Sequence, residues 1–355
     1  MSIDLLQLTA DFMAVPSESF QEGPLTDRIE GDLRSLSHLD VTRVGDNLVA
    51  RTMLDRPTRV VLAGHTDTVP ANNNATPRID GDVLWGLGAA DMKSGLAVMH
   101  ALASVHVDPA VDVTYVFYAR EEVASVHSGL GELFELRPDL LEGDVAILGE
   151  PTDGHIEAGC QGTMRMRIVL KGARAHLARA WMGRNAIHRL GPLLDAVASY
   201  EPRRPEILGC TYHDALQVVR VEGGVSGNVV PDHVEVDLGH RFAPDRSPGQ
   251  AEEFVRDLID PFLESGDLVE LIDCSPAARP AVDHPVVASM IERRDLGVTA
   301  KLGWTDVARF AERGVPAVNF GPGDPTLAHT AEERVLRDSV ERSFLALDEL
   351  LRDGI

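Results

Sequence analysis

Four apolar runs in this chain each lead to a histidine or a carboxylate. Val60-Val61-Leu62 leads through Ala63-Gly64 to His65 and Asp67, and Val111 to Tyr118 leads to Glu121-Glu122. Asp144 to Gly149 leads to Glu150, and Val315 to Phe320 leads through a Gly/Pro-rich loop to His329. Between the first two runs a glycine-rich turn, Gly86-Leu87-Gly88-Ala89-Ala90, ends in Asp91, and helical periodicity from Ser94 to Val105 follows. Apolar strands alternating with helices predict an α/β layer fold with a mostly parallel sheet, whose ligand crevice opens at the carboxyl ends of the strands. The acids and histidines all fall at that edge.

At 355 residues the chain exceeds the size at which a single core keeps growing, which predicts two domains. The ligand-bearing segments group as residues 1–161 and 276–355, a discontinuous catalytic domain. Between them the texture changes. Thr163 to Leu170 alternates, with Met164, Met166, Ile168 and Leu170 set against Arg165, Arg167 and Val169, the pattern of a half-exposed antiparallel strand. Helical stretches at Asn185–Val197 and Gln250–Leu263 bracket strands near Leu216–Val221 and His233–Leu238. This order reads as an inserted α+β, ferredoxin-like module over 162–275, a lid or dimerisation domain whose sheet leaves an edge open for pairing.

The formal charge of −23 argues against nucleic acid or an anionic membrane as partner. No run approaches the roughly 18 apolar residues of a membrane span, and Met1-Ser2-Ile3-Asp4 lacks the basic segment and apolar core of a signal peptide, so a cytoplasmic protein is expected. Cys160, Cys210 and Cys274 are odd in number and contain no CxxC, as reduced thiols would be.

The residues at the sheet edge permit a specific chemistry. If His65 ligates a metal through one ring nitrogen, Asp67, two residues on, can accept a hydrogen bond from the other nitrogen and fix the ring. Of the adjacent pair Glu121-Glu122, one carboxylate can bind metal while its neighbour takes a proton from an activated water, as metal-assisted amide hydrolysis requires. His65, Asp91, Glu122, Glu150 and His329 make five ligands without a thiolate. That set favours zinc, with cobalt or manganese as alternatives, and exceeds the three protein ligands of a mononuclear catalytic zinc. Two ions sharing a carboxylate fit the number.

The runs Gly64–Pro70, Gly88–Lys93, Glu121-Glu122, Gly149–Thr152 and Ala328–Glu333 resemble, in order, the motifs of the dizinc deacylase and exopeptidase family, which includes aminoacylases, acetylornithine deacetylases, glutamate carboxypeptidases and succinyl-diaminopimelate desuccinylases. The resemblance implies two Zn²⁺ per chain, with Asp91 bridging them, His65 and Glu150 completing one site, Glu122 and His329 the other, Glu121 as acid/base, and a cis peptide after Asp91. Within the family, Glu157–Thr163, Arg174–His176, Gly183–His188, Gly227–Pro231 and Gly303–Asp306 resemble the actinobacterial-type desuccinylases. These hydrolyse N-succinyl-LL-2,6-diaminopimelate to succinate and LL-diaminopimelate, on the route to lysine and cell-wall cross-links. By that resemblance the chain forms a homodimer, His176 reaches the partner subunit's site to stabilise an oxyanion, and Asn228, Arg241 and Thr305 contact the substrate. Two positions depart from the better-known desuccinylases. Cys160-Gln161 stands where an arginine is usual, and Asp324-Pro325 where an asparagine is.

Such a substrate is a small anionic N-acyl amino acid with three carboxylates and one ammonium, which a protein at −23 repels at long range. Arg179, Arg184 and Arg241 are the candidates to offset that charge, because guanidinium binds carboxylate with two parallel hydrogen bonds. Competing readings are acetylornithine deacetylase or another N-acyl-amino-acid deacylase on the same metals, and a non-catalytic metal-binding scaffold that acts through the inserted module.

Overall fold

The computed structural model describes residues 3–355. The chain divides into two compact units, one of residues 1–158, 280–299 and 309–355, the other of 159–279 and 300–308. The division falls at 158/159 and 279/280 rather than at 161/162 and 275/276, and residues 300–308 go with the second unit instead of the first. Local bonds account for this. The Trp304 indole donates to the Pro276 carbonyl at 3.1 Å, and the Cys160 thiol lies 3.7 Å from the Thr305 carbonyl.

The first unit is built on an eight-stranded sheet. From edge to edge it runs Asp40–Val44, Asn47–Arg51, Asp112–Tyr118, Arg59–His65, Val145–Leu148, Ala317–Asn319, Ile156–Ala158 and Val298–Ala300. The strands at 112–118, 59–65, 145–148 and 317–319 pair in parallel, whereas 40–44, 47–51 and 156–158 join antiparallel. Every residue of Asp112–Tyr118 is buried, as a strand covered on both faces requires. The helix Lys93–Val105 covers the sheet together with Leu5–Met13 and Arg337–Asp353, which pack against it.

Three glycines bring separate segments to one point. A Cβ on Gly95, in the first turn of Lys93–Val105, would lie 2.3 Å from the Gly149 carbonyl oxygen, and a Cβ on Gly321 would lie equally close to the same atom. The helix after Asp91, the strand end before Glu150 and the loop toward His329 can meet there only because none of the three has a side chain.

The second unit carries a four-stranded antiparallel sheet in the order Ala215–Gly223, His233–Phe242, Gly162–Lys171, Leu268–Ser275. With helices Ala186–Ala198 and Pro248–Ile259 the chain order is β-α-β-β-α-β, the ferredoxin-like arrangement. Met164, Met166, Ile168 and Leu170 point into the core and meet Leu190, Leu193, Leu238, Val255 and Ile259. On the opposite face Arg167 forms two hydrogen bonds with Asp237, at 2.8 and 3.1 Å.

Candidate metal centre

His65 closes its strand, and Glu121, Glu122 and Glu150 follow theirs within a few residues. Asp91 ends the turn that starts Lys93–Val105, and His329 sits in the loop after Ala317–Asn319 with a left-handed backbone, φ 62°. The peptide bond between Asp91 and Met92 is cis.

These residues form three donor groups, His65/Asp91/Glu150, Asp91/Glu122/His329 and His65/Glu121/Glu122, each with its ligand atoms within 4.8 Å of one another. Asp91 belongs to two of them and stands between two imidazoles. Its Oδ1 is 3.0 Å from His65 Nε2 and its Oδ2 3.4 Å from His329 Nε2, which is also 2.8 Å from Glu122 Oε1. Imidazole and carboxylate donors at such spacings suit a borderline divalent ion, whose ligands at roughly 2.0–2.2 Å crowd to similar mutual distances.

The acids and imidazoles of this cluster shift one another. Burial alone would raise the pKa of Asp91, but His329 and His65 keep it well below the usual carboxylate range. Asp91 and Glu122 in turn push the His329 imidazole up to about 10. A metal ion bound here would compete with protons for these groups.

Asp67 does more than orient a ring. His65 Nδ1 is 3.0 Å from the main-chain oxygen of Asp67 and 3.5 Å from its Oδ1, so backbone and side chain share that contact. The carboxylate itself accepts from the N–H groups of Glu121 (3.0 Å) and Glu122 (3.1 Å) and from the Ser19 hydroxyl (2.7 Å). Burial opposes its ionisation, yet the His65 contact and these donors bring its pKa down to about 2.

Two buried acids with no role in the sequence reading support the same turns. Glu22 accepts from the Arg120 N–H at 3.1 Å, extending the row of amides bound by Asp67. Glu333 accepts from the N–H groups of Ala90 and Asp91. Glu333 stands in the Ala328–Glu333 run, but nothing in that run says which backbone its side chain meets.

The remaining candidates all lie in the second unit. His176 is exposed on a two-residue ladder opposite Val229, and its Nδ1 accepts from the Ala178 N–H at 3.0 Å. Asn228 is adjacent, its carbonyl accepting from the Leu177 N–H at 2.8 Å. Arg179 is exposed and Arg241 lies on the central strand His233–Phe242, whereas Thr305 is buried. Arg184 is engaged in a forked ion pair with Glu264. The pair occupies two of its five N–H donors.

The sequence profile of peptidase family M20/M25/M40 matches residues 61–353. The chain belongs to this family. It is 49% identical, over 94% of its length and 93% of the relative's, to a protein of Mycobacterium tuberculosis (strain ATCC 25618 / H37Rv) provisionally named succinyl-diaminopimelate desuccinylase DapE. It is 41% identical, over 93% of its length and 91% of the relative's, to the succinyl-diaminopimelate desuccinylase of Corynebacterium glutamicum. The fold is similar to that of aminopeptidase PepT from Bacillus cereus, with a TM-score of 0.79, 20% identity and coverage of 98% of this chain and 97% of that one. The metal-ligand candidates His65, Asp91, Glu122, Glu150 and His329 all fall inside the matched span.

Proposed function

We propose that this chain is a dinuclear zinc amide hydrolase that removes succinate from N-succinyl-LL-2,6-diaminopimelate. The observation that carries the metal chemistry is Asp91 shared between two donor groups at the carboxyl edge of the sheet. The names of the mycobacterial and corynebacterial relatives supply the substrate and favour it over acetylornithine or other acyl amino acids. In the bound state the two ions would supply Lewis-acid polarisation of the amide carbonyl and activation of water. His65, Asp91 and Glu150 would hold one ion, Asp91, Glu122 and His329 the other.

Glu121 takes the proton from the attacking water and passes it to the departing amine. Asp67 fixes both His65 and the Glu121-Glu122 turn, so ligand and base move as one piece. Asn228, Arg241, Thr305, Arg179 and Arg184 contact the substrate.

The working unit in this reading is a cytoplasmic homodimer in which His176 serves the partner subunit's site. Leu177, Trp181 and Met182 lie within six residues after His176, all exposed, with Trp181 at 80%, which favours cover by a second copy. Val219 and Val221 are exposed on Ala215–Gly223, an edge strand open to pairing.

The deciding experiment is turnover on a panel of N-acyl amino acids with zinc supplied. kcat/KM for succinyl-LL-diaminopimelate should exceed that for N-acetylornithine at least about tenfold, about 1.4 kcal/mol in transition-state binding. Equal or reversed preference refutes the desuccinylase assignment and leaves the metal chemistry standing.

A further inference from the structure

Glu333 is almost wholly buried, 1% exposed, and its carboxylate accepts hydrogen bonds from backbone amides, with the buried Lys93 ammonium near enough to interact with it electrostatically. One oxygen, Oε1, accepts from two consecutive amides, Ala90 N–H at 3.0 Å and Asp91 N–H at 3.1 Å. Its main chain meets the same turn from the other end, because the Gly86 N–H donates to the Glu333 carbonyl at 3.0 Å. The turn from Gly86 to Asp91 is thus held at both ends by one residue some 240 positions away. Asn74 adds a second tie, donating to the Thr330 carbonyl at 3.1 Å while its own carbonyl accepts from the Leu87 N–H at 2.9 Å.

Glu333 also lies four residues after His329, and its N–H donates to the Thr330 carbonyl at 3.3 Å. The segment that carries one proposed ligand therefore grips the backbone of another. Asp91 and His329 share a donor group, and their side chains stand 3.4 Å apart. We infer that Glu333 is a positioning residue that sets the spacing between the Asp91 carboxylate and the His329 imidazole, and so the geometry of the Asp91/Glu122/His329 ion site. This rests on the dinuclear reading proposed above. Glu333 touches no reacting atom, and it acts through the backbone amides of the Gly88–Asp91 turn that it accepts from.

In the dinuclear reading the Asp91 carboxylate would serve both ions, so a small displacement of its backbone would alter how it holds them. An ordinary buried polar contact would stabilise the fold without special effect on the metals. The two cases separate by measurement, because outer partners of metal ligands typically change affinity by about 10- to 100-fold when removed.

The test compares Glu333→Ala, Glu333→Gln and Glu333→Asp in the full-length chain, stripped of metal and titrated with zinc against a chromophoric chelator. Glutamine keeps a carbonyl oxygen at the same reach, whereas aspartate keeps the charge but falls one methylene short. Glu333→Ala should weaken binding of one of the two ions by about 10- to 100-fold. It should lower kcat on the succinyl substrate while KM changes little. Glu333→Gln should recover most of both effects and Glu333→Asp should not. In the metal-free protein, hydrogen exchange at the Ala90 and Asp91 amides should quicken in the alanine and aspartate variants and stay slow in the glutamine variant. If the alanine chain does not fold, the aspartate and glutamine chains carry the comparison. Zinc affinity in Glu333→Asp equal to wild type, or a Glu333→Gln chain as impaired as Glu333→Asp, overturns the assignment. A wild-type chain that binds fewer than two ions overturns the dinuclear reading instead.

Discussion

Adjacent carboxylates at a metal site divide two incompatible tasks, since an oxygen bound to an ion is a poor base. The division proposed for Glu121 and Glu122 rests on the family resemblance, and their surroundings support it. Glu122 belongs to two donor groups, one with Asp91 and His329 and one with His65 and Glu121, and lies 2.8 Å from His329, while Glu121 belongs to the second group alone. Glu121→Gln should therefore leave metal content near wild type and lower kcat by about 10² to 10⁴, the usual worth of a positioned general base. Glu122→Gln should weaken metal binding, read by elemental analysis after dialysis. An exchange of the two phenotypes means that the roles are exchanged. Candidate ligands could be proposed at this scale because few residue types bind divalent ions and most of these lie at or shortly after strand ends. Glu22 and Glu333 were not, since a carboxylate that accepts from main-chain N–H groups has partners of no particular residue type.

Elements meet at this site through the junction of Gly95, Gly149 and Gly321. Two effects oppose each other in Gly95→Ala. Helix propensity favours alanine by about 0.8–1 kcal/mol. Against that, the new Cβ would sit 2.3 Å from the Gly149 carbonyl oxygen, a backbone atom that cannot rotate away. Overpacking typically costs about 1–3 kcal/mol, and the contact here is with a strand that leads to Glu150. The collision should win, so Gly95→Ala should lower the thermal midpoint and reduce zinc retention together. A stabilised variant with full metal content would show that the helix can move off the strand without disturbing the ligands. The alternating strand at 163–170 was readable because a half-buried strand stamps a period of two on the chain. The glycine junction has no such signature, because contact between segments distant in sequence leaves no period.

The whole-molecule question is where His176 acts, since the second unit holds it and the first unit holds every proposed metal ligand. Suppose His176→Ala and Glu121→Ala chains, each nearly inactive alone, are co-expressed in equal amounts. Random pairing makes about half the dimers mixed, and under isologous two-fold symmetry each mixed dimer contains one site with both residues intact. Recovered activity should approach about a quarter of wild type per chain if His176 serves the partner's site. Background activity, with mixed dimers present by mass, excludes the cross-subunit arrangement.

Residue order alone carried the layered α/β architecture, the ferredoxin-like module and the chemical class of the site. Each of these depends on local periodicity or on residue types with few alternative uses. Tertiary structure decided the rest. It assigned residues 300–308 to the second unit through contacts of Trp304 and Cys160, and it showed Arg184 already paired with Glu264. It also gave Asp67 the amides of Glu121 and Glu122, and Glu333 those of Ala90 and Asp91. Those bonds join segments tens to hundreds of residues apart, and only the folded chain determines which of 56 acidic side chains meets which backbone amide.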